Sequence, residues 1–467
     1  MITVTENLTA LGVAWDAWRA TRGGPPGIHA RQAARLDALV RHARQASPFY
    51  AGLYAGLATD GLRPEDLVRL PVVRKPTLMS HFDDWLCDAA VNRTAVQAFL
   101  ADPESVGEDF LGRYVVFTTS GSTAEPAILV QDRRAMAVMN GLAYGRSAGV
   151  LPSKMMPRIL SRGIRQAAVF AGKGHFLTAT LFERRLREHP IRRRYSRYFS
   201  ILDPLPELVA ALNDFQPVML STYASALSVL AAEQEAGRLR IQPLVISSGG
   251  ESLLPSARQR VERVFGAVVV QTYNASEVTP LSLPCRLGQL HVNVDWFLVE
   301  PVDSEGRSVE LGRRSDTVLV TNLANYVQPL IRYELGDSVV MAEQTCPCGS
   351  ALPTIAVEGR TDEVLQVPGA DGGLVALLPL AISEVVEETP GVLSYQIVQT
   401  GSATLVIRLT VVAGSERSEV WQRVRSRALD FLRRQRVSAT VTIELSAEPP
   451  AVNKRSGKLR HVLALPG

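Results

Sequence analysis

Cysteine is scarce in this chain: four in 467 residues, at Cys87, Cys285, Cys346 and Cys348. So few exclude a disulfide framework as the device that holds the fold. Long apolar runs are missing too; none approaches the ~18 residues of a membrane span. Residues 1–19 carry Glu6 and Asp16 and lack the basic-then-apolar order of a secretory leader. A cytoplasmic location is therefore expected. The net charge of +4 is small for this length and by itself implies no partner. Internal repeats and low-complexity segments are absent. Lysine is rare: Lys75, Lys154, Lys173, Lys454 and Lys458 stand against a Lys plus Arg total of 50. An arginine fork cannot replace a compact ammonium in a tight site. Two of the five lysines within residues 454–458 therefore draw attention to that segment.

What is present is enough apolar material for a large globular protein, with hydrophobic residues at 46%. Single cores stop growing near ~250–300 residues, so at least two domains are expected. Residues 31–46 have the period of an amphipathic helix, stopped by Ser47-Pro48. From residue 206 the pattern alternates. Helical stretches at 207–215, 224–236 and 255–265 separate short apolar strands at 218–221, 244–248 and 267–272. Such alternation predicts a mostly parallel sheet, with ligands beyond the carboxyl ends of its strands. Short β runs at 290–294, 297–302 and 317–321 predict an antiparallel or barrel-like part. Strands at 394–398, 404–411 and 439–445 with a helix at 416–434 form a last compact unit. The boundary falls at about Asp362.

One loop carries unusual chemistry. Residues 117–126 read Phe-Thr-Thr-Ser-Gly-Ser-Thr-Ala-Glu-Pro, directly after Val115 and Val116. Five hydroxyls (Thr118, Thr119, Ser120, Ser122, Thr123) and Gly121 offer converging donors and close backbone approach, which suits a polyphosphate. A solvated polar turn is the other reading of the same residues. Further along stand Gly249-Gly250-Glu251, then Tyr273-Asn274-Ala275-Ser276-Glu277. Residues 333–337 (Tyr-Glu-Leu-Gly-Asp) follow, with 359–362 (Gly-Arg-Thr-Asp) and finally 454–458 (Lys-Arg-Ser-Gly-Lys).

In order and spacing these five segments resemble the adenylate-forming enzymes: acyl- and aryl-CoA ligases, peptide-synthetase adenylation domains and luciferases. The resemblance covers nearly the whole chain. The short length, the cysteine-bearing segment and the helix ending in Ser47-Pro48-Phe49-Tyr50 are most similar to the phenylacetate–coenzyme A ligase branch. It implies an α/β fold with a large N-terminal adenylation core (1–361), containing parallel sheets and a barrel-like part. A small, mobile α+β C-terminal lid (362–467) would turn on a hinge at Asp362. It also implies a reaction: a carboxylate attacks the α-phosphate of ATP, giving acyl-adenylate and pyrophosphate, and the acyl group then passes to coenzyme A. Phosphoryl chemistry of this kind asks for positioning and charge neutralisation. By the same resemblance Thr119, Ser120, Gly121, Ser122 and Thr123 hold the β- and γ-phosphates, and Gly249, Gly250, Glu251 and Asn274 belong to the nucleotide site. Tyr273 stacks on adenine, Ser276 places a hydroxyl near the α-phosphate, and Glu277 ligates Mg²⁺. Asp337 accepts from the ribose hydroxyls, Arg360 donates to ribose or phosphate, and Lys458 steadies the charge that builds during adenylation.

The chain departs from that pattern in three places. Ala124-Glu125 replaces the usual Gly-Lys, Leu335 replaces a Thr, and the turn after Asp362 is altered. Glu125 adds a negative charge near the expected polyphosphate, and the altered turn lies where relatives border the thiol channel, so the resemblance implies the adenylation more firmly than the thioester step. Acceptors other than coenzyme A stay open: an amine, a carrier-protein thiol or another nucleophile of secondary metabolism. So does a non-catalytic nucleotide binder of the same fold.

Cys285, His291 and the Cys346-Pro347-Cys348-Gly349 turn have the donor set of a structural Cys₃His Zn²⁺ site; reduced loop cysteines are the alternative. Phe170, His175, Phe182 and Tyr223 fall where relatives line the acyl pocket, and their aromatic character favours an aryl acid. The arginine-rich run 184–197 reads as a solvated face or a subunit interface, which would make a homodimer. Coenzyme A phosphates are a further candidate for it, and nucleic acid is not expected.

Overall fold

The computed structural model describes residues 9–119, 127–147, 150–151, 155–170, 174–251, 253–357, 364–412, 414–451 and 460–464. Helix α1 (Ala10–Arg22) starts where the Thr9 hydroxyl accepts from the Gly12 amide at 3.1 Å. Its Val13, Ala17 and Ala20 are buried. The helix Arg133–Ser147 can lie close to α1 because it carries Gly141 and Gly145; a Cβ at Gly141 would stand 2.6 Å from the Ala10 carbonyl oxygen. Helix α2 (Gly24–Ala46) is stopped by Ser47, whose Oγ accepts from the Tyr50 amide and begins the short helix Pro48–Leu53.

The predicted alternation becomes a five-stranded, wholly parallel sheet. Its strands are β3 (Gln166–Phe170), β4 (Ser196–Ser200), β5 (Met219–Thr222), β6 (Val245–Ser248) and β7 (Val268–Gln271), in the order β4-β3-β5-β6-β7. Successive connections leave β3 toward β4 and then cross to β5 on its other side. The carboxyl ends of β3 and β5 therefore flank a topological switch point, where open α/β sheets form a crevice. Preceding the sheet, β1 (Val115–Thr118) and β2 (Ile128–Gln131) pair as an antiparallel hairpin. It faces the same crevice, because Thr118 N donates to the His175 carbonyl at 2.7 Å.

The antiparallel region is a three-stranded sheet (Phe297–Val302, Thr317–Asn322, Tyr333–Glu334) and a four-stranded one (Val339–Met341, Thr354–Val357, Leu290–Val292, Ser282–Pro284). The C-terminal unit is a mixed sheet (Thr442–Leu445, Thr404–Val411, Val392–Gly401, Val462–Leu463) with helices Pro379–Glu387 and Arg417–Arg434. Thus the fold is α/β, with one parallel sheet among the described residues. A continuous buried cluster links Leu208, Leu212 and Leu227 of the sheet's helices to Ile382, Val386 and Phe431 of the C-terminal unit. Gln435 Nε2 also donates to the Leu202 carbonyl at 2.8 Å. The predicted hinge residue Asp362 lies outside the described residues. None of the described helices is long and apolar enough to cross a membrane.

Candidate active site and metal centre

A cavity of about 1010 Å³ opens at the carboxyl ends of the parallel sheet. Segments far apart in sequence line it: Thr118 and Thr119 at the end of β1, Gly249–Glu251 after β6, 271–277 from the end of β7 onward, and 333–337. The C-terminal unit adds Ser383, Glu384, Glu387, Glu388, Tyr395 and His461. Three of the five segments singled out in the sequence are thereby brought together, with the edge of a fourth, the 118–126 loop. Residues 120–126, with Ser120, Gly121, Ser122 and Thr123, lie outside the described residues, as do Arg360 and Lys458. His461, three residues beyond Lys458, lines the cavity.

The polar geometry is ordered by burial. Tyr273 is 9% exposed and its hydroxyl donates to Asp337 Oδ2 at 2.9 Å. Tyr333 donates in the same way to Glu277 Oε1 at 3.1 Å. Burial pushes the Glu277 carboxyl above its ordinary value, while the nearby Lys75 ammonium pulls it down. Asn322 Nδ2 fixes the backbone beneath it by donating to the Glu277 carbonyl at 2.9 Å. Asn274 bridges Thr272 Oγ1 (3.1 Å) and the Leu281 amide (3.1 Å), which holds the loop in shape. Glu251 accepts from the amide (2.6 Å) and hydroxyl (2.9 Å) of Ser225, capping the helix Ala224–Glu235. Gly250 has φ +79°, and a Cβ there would meet the Tyr223 ring at 3.0 Å. Thr119 binds Ala127 through both its amide and its hydroxyl, each at 3.0 Å, closing the base of the hydroxyl-rich loop.

The switch-point end of the cavity is aromatic. Phe170 and Tyr223 meet edge to face at 4.9 Å, and Phe182 and Tyr198 at 5.5 Å. His175 does not belong with them, which corrects its place in the expected acid pocket. Its ring is buried against Phe99, and Nε2 lies 3.2 Å from the Asp102 carbonyl and 3.3 Å from Ser105 Oγ. Burial holds it below the ordinary histidine value, so it is a neutral packing residue.

Sequence reasoning passed over several cavity residues: Lys75, Arg185, Tyr198 and the carboxylates of the helix Pro379–Glu387. Lysine scarcity was a usable signal for Lys75. The helix was not among the elements expected from the sequence. Its Glu387 is buried enough to be pushed up to about 8, with Lys75 acting in the opposite sense.

Away from the cavity, Cys285, His291, Cys346 and Cys348 converge, with all ligand atoms within 4.8 Å of one another. Cys285 Sγ and Cys346 Sγ are 3.9 Å apart, and Cys348 Sγ is 3.4 Å from His291 Nε2. These are the edge lengths of a tetrahedron around Zn²⁺ with metal–ligand bonds of ~2.0–2.3 Å. The second ring nitrogen, Nδ1, lies 2.7 Å from the Leu352 carbonyl; donating there leaves Nε2 free for the metal. The donor set and its spacing fit zinc.

No protein-family model matches the chain. Protein CapK of Staphylococcus aureus is 24% identical over 235 residues, which are 49% of this chain and 50% of CapK. The match thus spans about half the length of that curated relative. Among solved structures, 2-hydroxyisobutyryl-CoA ligase with 2-HIB-AMP and CoA in the thioesterification state is 20% identical, covering 96% of this chain and 91% of its own, at a TM-score of 0.56. The same ligase in the postadenylation state with R3-HIB-AMP is 19% identical over 99% and 94%, at 0.55. The chain has that fold. With 99% of this chain covered, the shared fold extends through the C-terminal unit.

Proposed function

We propose that this chain is an ATP-dependent, adenylate-forming ligase that converts a carboxylic acid to an acyl-adenylate and passes the acyl group to a second substrate, coenzyme A foremost. The observation that carries this reading is one cavity that holds Thr119, Tyr273, Ser276, Glu277 and Asp337 at the carboxyl ends of a parallel sheet. In it Tyr273 and Asp337 take adenine and ribose, and Gly249 and Gly250 allow close backbone approach. The hydroxyl-rich loop 118–126 takes the outer phosphates. Glu277 is a hard carboxylate at the position for Mg²⁺, and Lys458 supplies the ammonium, with the C-terminal unit swinging about Asp362. The aromatic pairs Phe170–Tyr223 and Phe182–Tyr198 favour an aryl acid. The short chain and its cysteine-bearing segment favour a likeness to the phenylacetate–coenzyme A ligase branch. The Cys₃His cluster holds one structural Zn²⁺ that pins the 282–292 strands to the 346–352 loop.

Acid-dependent exchange of pyrophosphate into ATP, run over a panel of aryl and short aliphatic acids, tests the reading. Lys458→Ala should lower exchange by ~10²–10³, the usual cost of losing one charge-stabilising donor. Unaltered exchange in that variant would remove Lys458 from the mechanism. No exchange with any acid would remove the adenylation.

A further inference from the structure

The helix Pro379–Glu387 presents polar side chains to the cavity that adenylation leaves without work. Ser383 and Glu387 are four residues apart, hence on one helical face. Both line the cavity. Ser383 is 5% exposed, and its Oγ has no hydrogen-bond partner among the described residues. Among the described residues Glu387 Oε1 is likewise shut from solvent and unpartnered, while Oε2 receives a 3.3 Å bond from the Tyr395 hydroxyl. Burying such groups without partners costs free energy, more for a charged one. A site that bears that cost is ready for a ligand that supplies hydrogen.

The charge around this face tells which ligand. Among the described residues the cavity is lined by Glu251, Glu277, Glu334, Asp337, Glu384, Glu387 and Glu388, against Arg74, Lys75 and Arg185. Arg74 is committed to Glu334 at 2.6 Å. The Lys75 ammonium acts on both Glu277 and Glu387 and so serves two carboxylates at once. A cation entering beside Glu387 is favoured, and an additional anion there is opposed.

Resting on the adenylation reading for its place in catalysis, we propose that Ser383 and Glu387 form a subsite for the ammonium group of an aliphatic amine substrate. The ammonium gives one N–H to Glu387 Oε1 and one to Ser383 Oγ, with Glu384 adding negative potential. That amine is either the acyl acceptor or a group borne by the acid itself. As acceptor it would yield an amide and AMP with release of two protons.

Calorimetric titration of the full chain with 1,4-diaminobutane, without nucleotide and at pH ~9, where the Glu387 carboxyl is ionised and the diamine is still cationic, reads the subsite independently of turnover. Binding is expected in the wild type and should weaken at least tenfold in Glu387→Gln and in Ser383→Ala. Equal affinity in wild type and both variants, or no binding to the wild type, overturns the subsite whether or not pyrophosphate exchange succeeds. Where exchange occurs, product mass with diamines as acceptors, and exchange with ω-amino acids against their uncharged analogues, assign the source. A tenfold KM rise for the amine in the variants supports the subsite in either arm. Equal KM changes for amine-bearing and amine-free substrates refute it.

Discussion

Replacing Glu387 by glutamine keeps the shape of the side chain and removes its charge. Glu387 is enclosed beside Lys75, Tyr395, Glu384 and Glu388, and burial is the largest reason that its carboxyl is pushed up to about 8 from 4.5. A carboxyl held above its unfolded value binds its proton more tightly in the folded state. Its contribution to stability is fully present below about 4.5 and is lost as pH climbs from there through about 8. Most of that window lies between pH ~5 and pH ~9. At ~1.4 kcal/mol per pH unit, the wild type loses about 4 kcal/mol across it through this one group. Glutamine does not titrate, so the variant escapes the loss. Glu387→Gln should be near wild type in stability at pH ~5 and more stable by about 4 kcal/mol at pH ~9. Urea unfolding of both proteins at the two pH values measures this, with the denaturant slope checked for constancy. Curves that shift in parallel would refute the claim that Glu387 is buried and charged at a cost.

Two further outcomes follow from other parts of the fold. Cys346→Ser should strip the Cys₃His site, so elemental analysis should fall from one zinc per chain toward none and the thermal midpoint should drop; metal-free wild-type protein with an unchanged midpoint in the variant would count against a zinc site. Gly141→Ala places a Cβ 2.6 Å from the Ala10 carbonyl and from Val13 Cβ, and the resulting overpacking between α1 and the helix Arg133–Ser147 should cost about 1–3 kcal/mol in a denaturation measurement.

The sequence by itself determined the elements and the chemistry-bearing loops, because both are local. Alternating helical and strand periods at 207–272 are set by which residues are apolar every second or every third to fourth position. They became β5, β6 and β7 with their helices to within a residue or two. Gly250, Tyr273, Glu277 and Asp337 were legible for the same reason, since each sits in a short run whose composition differs from its surroundings. The Cys285–His291–Cys348 set was legible from donor type, though only the folding of two antiparallel strands and a loop brings its atoms within 4.8 Å. Tertiary structure alone decided the rest. The strand order β4-β3-β5-β6-β7 depends on where β4 docks, which no local pattern encodes. His175 packs away from the cavity, held by a partner 73 residues away, the Asp102 carbonyl. Glu384 and Glu387 belong to a helix that the sequence analysis did not anticipate. They become cavity walls because the C-terminal unit lays that helix over the sheet. Burial is a property of the whole packing, and it turns an ordinary glutamate into a group with an unusual proton affinity.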